Sequence, residues 1–360
     1  MSLITLLGLI DPHVHLRDPR QTHKEDFYTG TCAALAGGFT TILDMPNNKT
    51  PITTFRVLNE KIKIAKEKIV CDVGFYFGSL GDNLDEFEKV KNKVLGLKLY
   101  LNETTGNLLI DKMELEKIFL AWSQSMSLHS NILSTKPILI HAEEKMLNVV
   151  IDLVKKLGNK IHVCHISTVS DLTQIIKAKE EGLPITCGVT PHHLFLTEND
   201  VKTLGPFGKM KPGLKSKKDQ DFLWKNLKYI DVIESDHAPH TVNEKRGEGT
   251  TYGVPGLETT LPLLLTAVSE KRIEIDDIMR LCHKNTAKIF GIKSDPQTKI
   301  EINLHTSYFI LHTSLFTKCG WSPFEGWKVK GKIERVFIRG EKVFEDGKVL
   351  VKPGFGKILI

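Results

Sequence analysis

The sequence predicts an α/β fold: a (β/α)8 barrel of the TIM type, with a small accessory β-unit formed by the chain termini. Short apolar runs rich in β-branched residues recur eight times, and helix-like segments alternate with them. Apolar strands that alternate with helices are typical of a parallel sheet covered on both faces. An open doubly wound sheet is the alternative, but no Gly-x-Gly-x-x-Gly turn follows an early strand. The predicted strands are residues 6–15, 40–45, 71–78, 94–101, 137–142, 160–166, 184–189 and 230–236.

Predicted helices lie between these strands, at residues 24–36, 53–68, 112–122, 143–157 and 169–181. Two segments fall outside the repeat. Residues 121–136 are polar and serine-rich, which predicts a surface insertion before the fifth strand. From about residue 326 the pattern alternates apolar with polar residues around an Asp-Gly turn, which is typical of a β-hairpin. We therefore predict a barrel over residues 8–305 and a β-unit formed by residues 1–7 and 306–360.

Composition restricts the functional class. The 360 residues carry a net charge of +6 without any basic block of the kind a nucleic-acid surface shows, so no nucleic-acid partner is expected. No apolar run reaches the roughly 18–20 residues that a membrane span needs, and the first residues lack the features of a signal peptide. The six cysteines show no Cys-x-x-Cys spacing, which favours reduced thiols and a cytoplasmic protein.

A pair of histidines closes the first predicted strand. In an extended strand side chains repeat every two residues, so His13 and His15 point to the same side. Two imidazoles on one side of a strand end make half of a metal site. Two ordinary core or surface histidines are the alternative.

The other predicted strands favour the metal site. His141 closes the fifth strand, His165 the sixth and Asp236 the eighth. In such barrels the carboxyl ends of the strands form the active-site rim. Four histidines and an aspartate at one rim therefore predict a metal centre.

Lys98 lies in the middle of the apolar fourth strand. Lysine is almost never buried unless it is paired, and burial disfavours its charge. A closed barrel has no edge at which the ammonium could reach water. We therefore expect a neutral or modified lysine, such as the carbamate that forms when the amine captures carbon dioxide.

Eight long motifs follow one another along the chain: GLIDPHVHLRDP, DMPNN, GLKLYLNET, ILIHAEE, VCHIS, TPHHLFL, SDHAPH and VPGLETTLPLLL. In this order they resemble the dihydroorotases of the amidohydrolase superfamily, most of all the dihydroorotase domain of the large animal pyrimidine-synthesis polypeptide. The likeness extends from about residue 8 to residue 356. It implies the zinc-dependent, reversible cyclisation of N-carbamoyl-L-aspartate to L-dihydroorotate in pyrimidine biosynthesis.

The resemblance also assigns roles to residues. It implies two zinc ions per chain, the first held by His13, His15 and Asp236, the second by His141 and His165, and both bridged by N6-carboxylated Lys98 and a hydroxide. Asp236 would be the catalytic acid and base. The implied substrate-binding residues are Arg17, Asn47, Thr104, Lys211 and His240. A homodimer and an association with aspartate transcarbamoylase are the implied protein partners.

One departure of the chain from the family pattern concerns the number of metal ions. Animal-type relatives have a glutamate where this chain has Gly188, and that glutamate helps to hold a third metal together with the cysteine that matches Cys164. Because Gly188 brings no ligand, we do not expect a third zinc.

Two other functions remain open from the sequence. A related cyclic amidase, such as a dihydropyrimidinase, hydantoinase or allantoinase, would share the metal site. A non-catalytic relative would serve as a scaffold, but such proteins usually lose metal ligands and all six positions are intact here.

Overall fold

The computed structural model describes residues 3–102, 108–127, 136–247, 251–310 and 315–360. Within them, eight parallel strands pair in chain order to form a nearly closed barrel, which confirms the predicted fold class. The strand β1 (Ile4–Leu7) precedes the barrel strands in the chain and belongs to a second sheet. The barrel strands are β2 (Leu9–Val14), β3 (Phe39–Asp44), β4 (Asp72–Gly78), β5 (Gly96–Tyr100), β6 (Ile138–His141), β7 (Ile161–Val163), β8 (Ile185–Val189) and β9 (Val232–Ile233).

The first predicted run, residues 6–15, is divided between the two sheets. Gly8 lies at the change, between β1 and β2. A Cβ atom on Gly8 would lie 2.2 Å from the side-chain oxygen of Thr40, so only glycine lets the chain pass this close to β3. The prediction of one continuous strand was wrong for this reason.

The barrel closes where the first and last strands meet. Val14 forms an isolated parallel bridge with His237, and the backbone N–H of His15 donates to the His237 carbonyl at 2.8 Å. The backbone N–H of Ser235 donates to the buried carboxylate of Asp11. These contacts bring the ends of β2 and β9 side by side, and with them the predicted ligands on both strands.

Side chains along β5 alternate between the two faces of the sheet, which places a lysine and a tyrosine inside the barrel. Leu97 and Leu99 belong to the large core shared with the helices. Lys98 and Tyr100 therefore point to the opposite, inner side. There the Lys98 ammonium reaches Cys164 on the segment after β7, and the Tyr100 ring lies beside His141.

Helices cover the outside of the barrel, and several begin at side chains that cap their N-termini. Asp26, Thr54 and Thr168 each accept a hydrogen bond from a backbone N–H in the first turn. The described helices are α1 (Phe27–Ala36), α2 (Phe55–Lys68), α3 (Glu86–Val90), α4 (Leu115–Ser127), α5 (Lys145–Leu157), α6 (Val169–Glu180), α7 (Pro191–Phe195), α8 (Val201–Leu204), α9 (Lys217–Lys225), α10 (Val242–Arg246), α11 (Leu257–Ser269), α12 (Ile275–Met279) and α13 (Asn285–Phe290), with a π-helical segment (Arg280–Lys284) between the last two.

The predicted surface insertion at residues 121–136 is wrong in its first half. Residues 121–127 continue α4, and residues 128–135 lie outside the described part of the chain. Leu115, Ile118, Phe119 and Trp122 are all fully buried. Their spacing is that of one apolar helix face, and this face outweighs the serines further along the segment.

The second sheet is antiparallel, with strand order β1-β10-β11-β12-β13. Its later strands are β10 (Lys299–Phe309), β11 (Lys328–Ile338), β12 (Glu341–Glu345) and β13 (Lys348–Val349). The termini thus form the expected accessory β-unit, and the predicted Asp-Gly turn joins β12 to β13. Strand β10 runs across residue 305, and the division of the chain at that position stays a prediction.

Two further features concern membranes and cysteines. No helix among the described residues is long and apolar enough to span a membrane. All six cysteines are buried with free thiols.

We expect Trp122→Ala to lower the free energy of unfolding by about 3–5 kcal/mol, the usual effect of removing a buried aromatic ring. The Trp122 ring is fully buried and meets the Phe87 ring edge-on at 5.3 Å. Denaturant unfolding measures the change. Leu120→Ala is the control on the same helix, because Leu120 is 41% exposed; equal effects of both changes would contradict the observed burial of Trp122.

Candidate metal centre

A cleft opens at the carboxyl ends of the barrel strands. It brings together nearly all the described residues that the sequence assigned to the site. Thr104 lies outside the described residues. The cleft is lined by His13, His15, Arg17, Asn47, Tyr100, His141, His165, Lys211, Asp236, Ala238, Tyr252 and Gly253.

Three predicted ligands converge on one point. The Oδ1 atom of Asp236 lies 3.1 Å from Nε2 of His15 and 3.4 Å from Nε2 of His13. All three side chains are buried, and their ligand atoms lie within 4.8 Å of one another. Two imidazoles and a carboxylate are a ligand set that suits zinc.

The hydrogen bond to Asn47 sets the tautomer of His15. Nδ1 of His15 donates to the amide oxygen of Asn47 at 2.7 Å. A neutral imidazole carries one proton, so Nε2 keeps its lone pair, and that lone pair faces the Asp236 carboxylate. Two acceptors at 3.1 Å repel each other unless a cation or a proton lies between them. This geometry fits a bound metal ion.

His141 and His165 form a second pair beside the first. Nδ1 of His141 and Nε2 of His165 lie 3.1 Å apart, and the His13 ring is 5.1 Å from the His165 ring, centroid to centroid. Nε2 of His141 and Nδ1 of His165 are buried without a hydrogen bond among the described residues, although Nε2 of His141 lies 3.7 Å from the Glu143 carboxylate. Buried imidazole nitrogens without a hydrogen bond cost free energy unless a ligand satisfies them.

Burial keeps these rings neutral. Desolvation lowers the pKa of His13 to about 4, and it holds the pKa values of His15 and His165 well below the ordinary value. The pKa of His141 is also lowered by burial. A neutral ring is the form that binds metal, so the four histidines do not have to lose a proton at neutral pH.

Lys98 is completely buried on the floor of the cleft. Its Nζ atom donates to Sγ of Cys164 at 3.0 Å and lies 5.0 Å from the centre of the Tyr100 ring. Neither neighbour is a carboxylate that would compensate a buried ammonium charge. The position is therefore suited to an amine that becomes modified.

Glu234 is a buried residue of the site that the sequence reasoning missed. Its carboxylate accepts a hydrogen bond from the backbone N–H of His165 and lies 3.5 Å from Nδ1 of His13 and 3.4 Å from Nε2 of His162. Burial by itself would raise the pKa of Glu234, but the facing rings of His13 and His162 hold it well below its ordinary value. The available signal was its position two residues before Asp236, in a run that ends at the rim.

Glu234 fills the space beside Gly188. A Cβ atom on Gly188 would lie 2.6 Å from the carboxylate carbon of Glu234. A carboxylate thus lies near Cys164 although Gly188 brings none, and one ligand atom each from His13, Cys164 and Glu234 lie within 4.8 Å of one another. The expectation that Cys164 holds no third zinc stays a prediction.

Arg17 and His240 form the wall next to the ligands. Nε of Arg17 donates to the Pro239 carbonyl at 3.3 Å, and Nη2 lies 3.3 Å from Nε2 of His240. His240 is oriented by the Tyr252 carbonyl, to which its Nε2 donates at 3.0 Å. Both side chains are buried, so the guanidinium is held in place at the cleft.

Lys211 reaches the cleft from the segment after α8, and its Nζ atom lies 5.1 Å from the centre of the Tyr252 ring. Tyr252 and Tyr100 were not among the predicted residues. Tyr100 carries its hydroxyl into the site without a hydrogen bond among the described residues.

Three of the site residues have left-handed backbone conformations. The φ angles are 62° at Arg17, 38° at His165 and 45° at Asp236. Residues other than glycine adopt this region at a cost and keep it where surrounding contacts hold them. Turns of this kind after β2, β7 and β9 direct the side chains into the cleft.

Comparison with known proteins identifies the family. The model of the amidohydrolase family matches residues 4–343. The multifunctional protein CAD of Squalus acanthias is 42% identical over 358 residues, which cover 99% of this chain and 16% of that protein. The dihydroorotase of Pyrococcus furiosus is 37% identical over 363 residues, which cover 97% of this chain and 84% of that enzyme. This chain thus spans about a sixth of the multifunctional relative.

Solved structures agree on the fold. The L-hydantoinase from Arthrobacter aurescens superimposes with a TM-score of 0.91 at 26% identity, covering 99% of this chain and 88% of that one. The inactive dihydroorotase-like domain of the CAD-like protein of Chaetomium thermophilum superimposes with a TM-score of 0.83 at 26% identity, covering 100% of both chains. The chain belongs to the amidohydrolase family and, within it, to the dihydroorotases.

Proposed function

We propose that this chain catalyses the reversible cyclisation of N-carbamoyl-L-aspartate to L-dihydroorotate, the dihydroorotase reaction of pyrimidine biosynthesis. The observation that carries the proposal is the approach of the His15 lone pair to the Asp236 carboxylate, beside a buried arginine. The first feature calls for a cation and the second for an anionic substrate. The P. furiosus dihydroorotase, which matches along nearly the whole chain, supports the same reaction.

Two zinc ions fit the donor set. His13, His15 and Asp236 would hold the first, and His141 with His165 the second. When bound, the ions would lower the pKa of a water molecule and polarise the amide carbonyl of the substrate. Neutral, buried imidazoles are ready for this role without prior deprotonation.

Lys98 would join the two ions as a carbamate. A neutral amine attacks carbon dioxide, an N–C bond forms and a proton leaves, so the product is an anion with two oxygens. Its charge would offset the cations, because Cys164 and the Tyr100 ring, the described neighbours of the Lys98 amine, are not carboxylates.

Asp236 would move the proton. In the hydrolytic direction its carboxylate takes the proton of the attacking water and passes it to the leaving ring nitrogen; in synthesis it acts in reverse. Burial raises the pKa of the Asp236 carboxylate.

Arg17 would hold the substrate carboxylate, because its planar guanidinium can donate two parallel hydrogen bonds. Asn47, Lys211, His240 and Thr104 would add contacts. Asn47 has a second task, since its amide oxygen already orients His15.

A cyclic amidase that acts on a neutral ring is the second candidate, and the similarity to L-hydantoinase favours it. Arg17 distinguishes the two functions, because a ring without a carboxylate leaves this buried cation unpaired. We further propose a cytoplasmic enzyme that forms a homodimer and associates with aspartate transcarbamoylase.

Turnover of dihydroorotate, dihydrouracil, hydantoin and allantoin tests the function. We expect dihydroorotate to give the highest kcat/KM, because only its carboxylate among these rings pairs with Arg17. Chelator-treated protein is the blank. A preference for dihydrouracil, hydantoin or allantoin would contradict the proposal and favour the second candidate.

Lys98→Ala is expected to lose most of its bound metal and activity, with partial recovery when short carboxylic acids replace the carbamate. Elemental analysis and the rate with and without added acid measure both effects. Lys61→Ala is the matched control: Lys61 is also buried, but it pairs with Asp44 at 2.7 Å, so added acid should not rescue it. Full activity in Lys98→Ala would remove the bridge from the mechanism.

For Arg17→Met we expect kcat/KM for dihydroorotate to fall about 10- to 100-fold, the scale of a lost charge-assisted hydrogen bond. Any slow turnover of dihydrouracil should change far less. Arg20→Met is the control, since the Arg20 side chain is 54% exposed and points to Glu60. Equal losses on both substrates would mean that Arg17 is structural.

A further inference from the structure

Glu234 occupies the space behind His13 without taking part in the reaction proposed above. It follows β9 directly, and its backbone N–H donates to the Val189 carbonyl at 3.0 Å, which keeps the chain in register beside β8. The side chain is completely buried. A buried carboxylate is costly unless several groups compensate it, so its neighbours define its task.

Three groups face this carboxylate. The backbone N–H of His165 donates to Oε1, while His13 Nδ1 and His162 Nε2 lie 3.5 Å and 3.4 Å from Oε2. Two of these groups belong to residues that line the cleft. The opposite nitrogen of His13, Nε2, faces Asp236 at 3.4 Å. The His13 ring therefore lies between two carboxylates, one on each side.

His15 shows the same arrangement. Its Nδ1 donates to an oxygen of Asn47 while its Nε2 faces Asp236. Metal-binding histidines commonly have an oxygen acceptor on the ring nitrogen that does not bind the metal, and this acceptor fixes the tautomer and the orientation of the ring. Asn47 is that acceptor for His15.

We propose that Glu234 is the positioning residue for His13: its carboxylate holds Nδ1 protonated and directs Nε2 toward the first metal ion. The inference rests on the proposed function, since it assumes that His13 binds metal. The contact of 3.5 Å is longer than a hydrogen bond, and Nδ1 of His13 makes no hydrogen bond among the described residues, so the Glu234 carboxylate is the acceptor nearest to hand when a metal ion orients the ring. By holding the His165 backbone as well, the same carboxylate links both halves of the centre.

Gly188 provides the space that the Glu234 carboxylate occupies. A side chain at that position would collide with the Glu234 carboxylate, 2.6 Å from an added Cβ. Gly188 pairs with Val232 across the two strands, two residues before Glu234. The space can hold one carboxylate, and this chain supplies it from β9.

A third metal ion on His13, Cys164 and Glu234 is the competing occupant. The ligand atoms are close enough, but Glu234 already accepts from His165, and Sγ of Cys164 accepts from Lys98. Structural zinc sites are almost always closed by four ligands. We therefore assign the Glu234 carboxylate to the His13 ring rather than to a third metal ion. The number of metal ions per chain distinguishes these two roles.

The test compares Glu234→Gln with the wild-type chain by chelator competition for Zn²⁺, by elemental analysis and by thermal unfolding of the metal-free proteins. We expect two metals per wild-type chain, a 10- to 100-fold weaker affinity for one of them in the variant, and similar metal-free Tm values. Glu258→Gln is the matched control, because Glu258 also accepts from backbone N–H groups, those of Phe316 and Thr317, away from the cleft.

A second pair of variants covers the case in which Glu234→Gln does not fold. Glu234→Ala should bind one of the two metal ions weakly. The double variant Glu234→Ala, Gly188→Glu should bind it tightly again, because the glutamate on the neighbouring strand returns a carboxylate to the same space. Unchanged affinity in Glu234→Gln, or no restoration in the double variant, would overturn the inference. Three metals in the wild type and two in Glu234→Gln would make Glu234 a ligand instead.

Failure of the proposed function gives a different result. A wild-type chain that binds no Zn²⁺ at all would overturn the metal centre and the role of Glu234 together. With Co²⁺ as the probe, an intense thiolate charge-transfer band in the wild-type chain would place Cys164 on a metal and support the competing occupant.

Discussion

The site depends on one electrostatic constraint: just after β2, the lone pair of a buried histidine faces the oxygen of a buried carboxylate at 3.1 Å. The hydrogen bond from His15 to Asn47 fixes that tautomer, so the ring cannot relieve the repulsion by donating its own proton. A cation between the two groups turns the repulsion into two bonds. In the proposed function, the other histidines, the buried arginine and Lys98 would acquire their roles from that cation.

The barrel holds these groups close together in spite of their mutual repulsion. Its first and last strands meet at the bridge between Val14 and His237, which sets residues more than 200 positions apart side by side. Left-handed turns at His165 and Asp236 then aim the side chains inward. The surrounding core fixes each strand end. Its packing stabilises the fold and so offsets the unfavourable free energy of these conformations and of the buried polar groups.

Much of the fold, and the meeting of the proposed ligand residues at one cleft, could be predicted because they follow local patterns. Each barrel strand is a short apolar run, and His13, His15, His141, His165 and Asp236 close such runs. The α4 helix was underestimated because the serines around residue 125 obscured a face that ends in Trp122. Local patterns also failed at Gly8, where contact with Thr40 divides the first run.

Glu234 could not be predicted for a different reason. Its meaning depends on Gly188, which lies 46 positions earlier in the sequence, and only the pairing of β8 with β9 makes them neighbours. The second task of Asn47, as the acceptor for His15, likewise depends on how the segment after β3 approaches the end of β2. The roles of such residues arise from contacts between strands, and the periodicity of side chains within one strand does not reveal these contacts.

The most direct test of the proposed metal centre is anomalous scattering from crystals of the wild-type chain, recorded on both sides of the zinc edge. We expect two zinc peaks, one among His13, His15 and Asp236 and the other beside His141 and His165, with density for a carboxylated Lys98 between them. A cleft without zinc, in crystals of protein that turns over dihydroorotate, would contradict it.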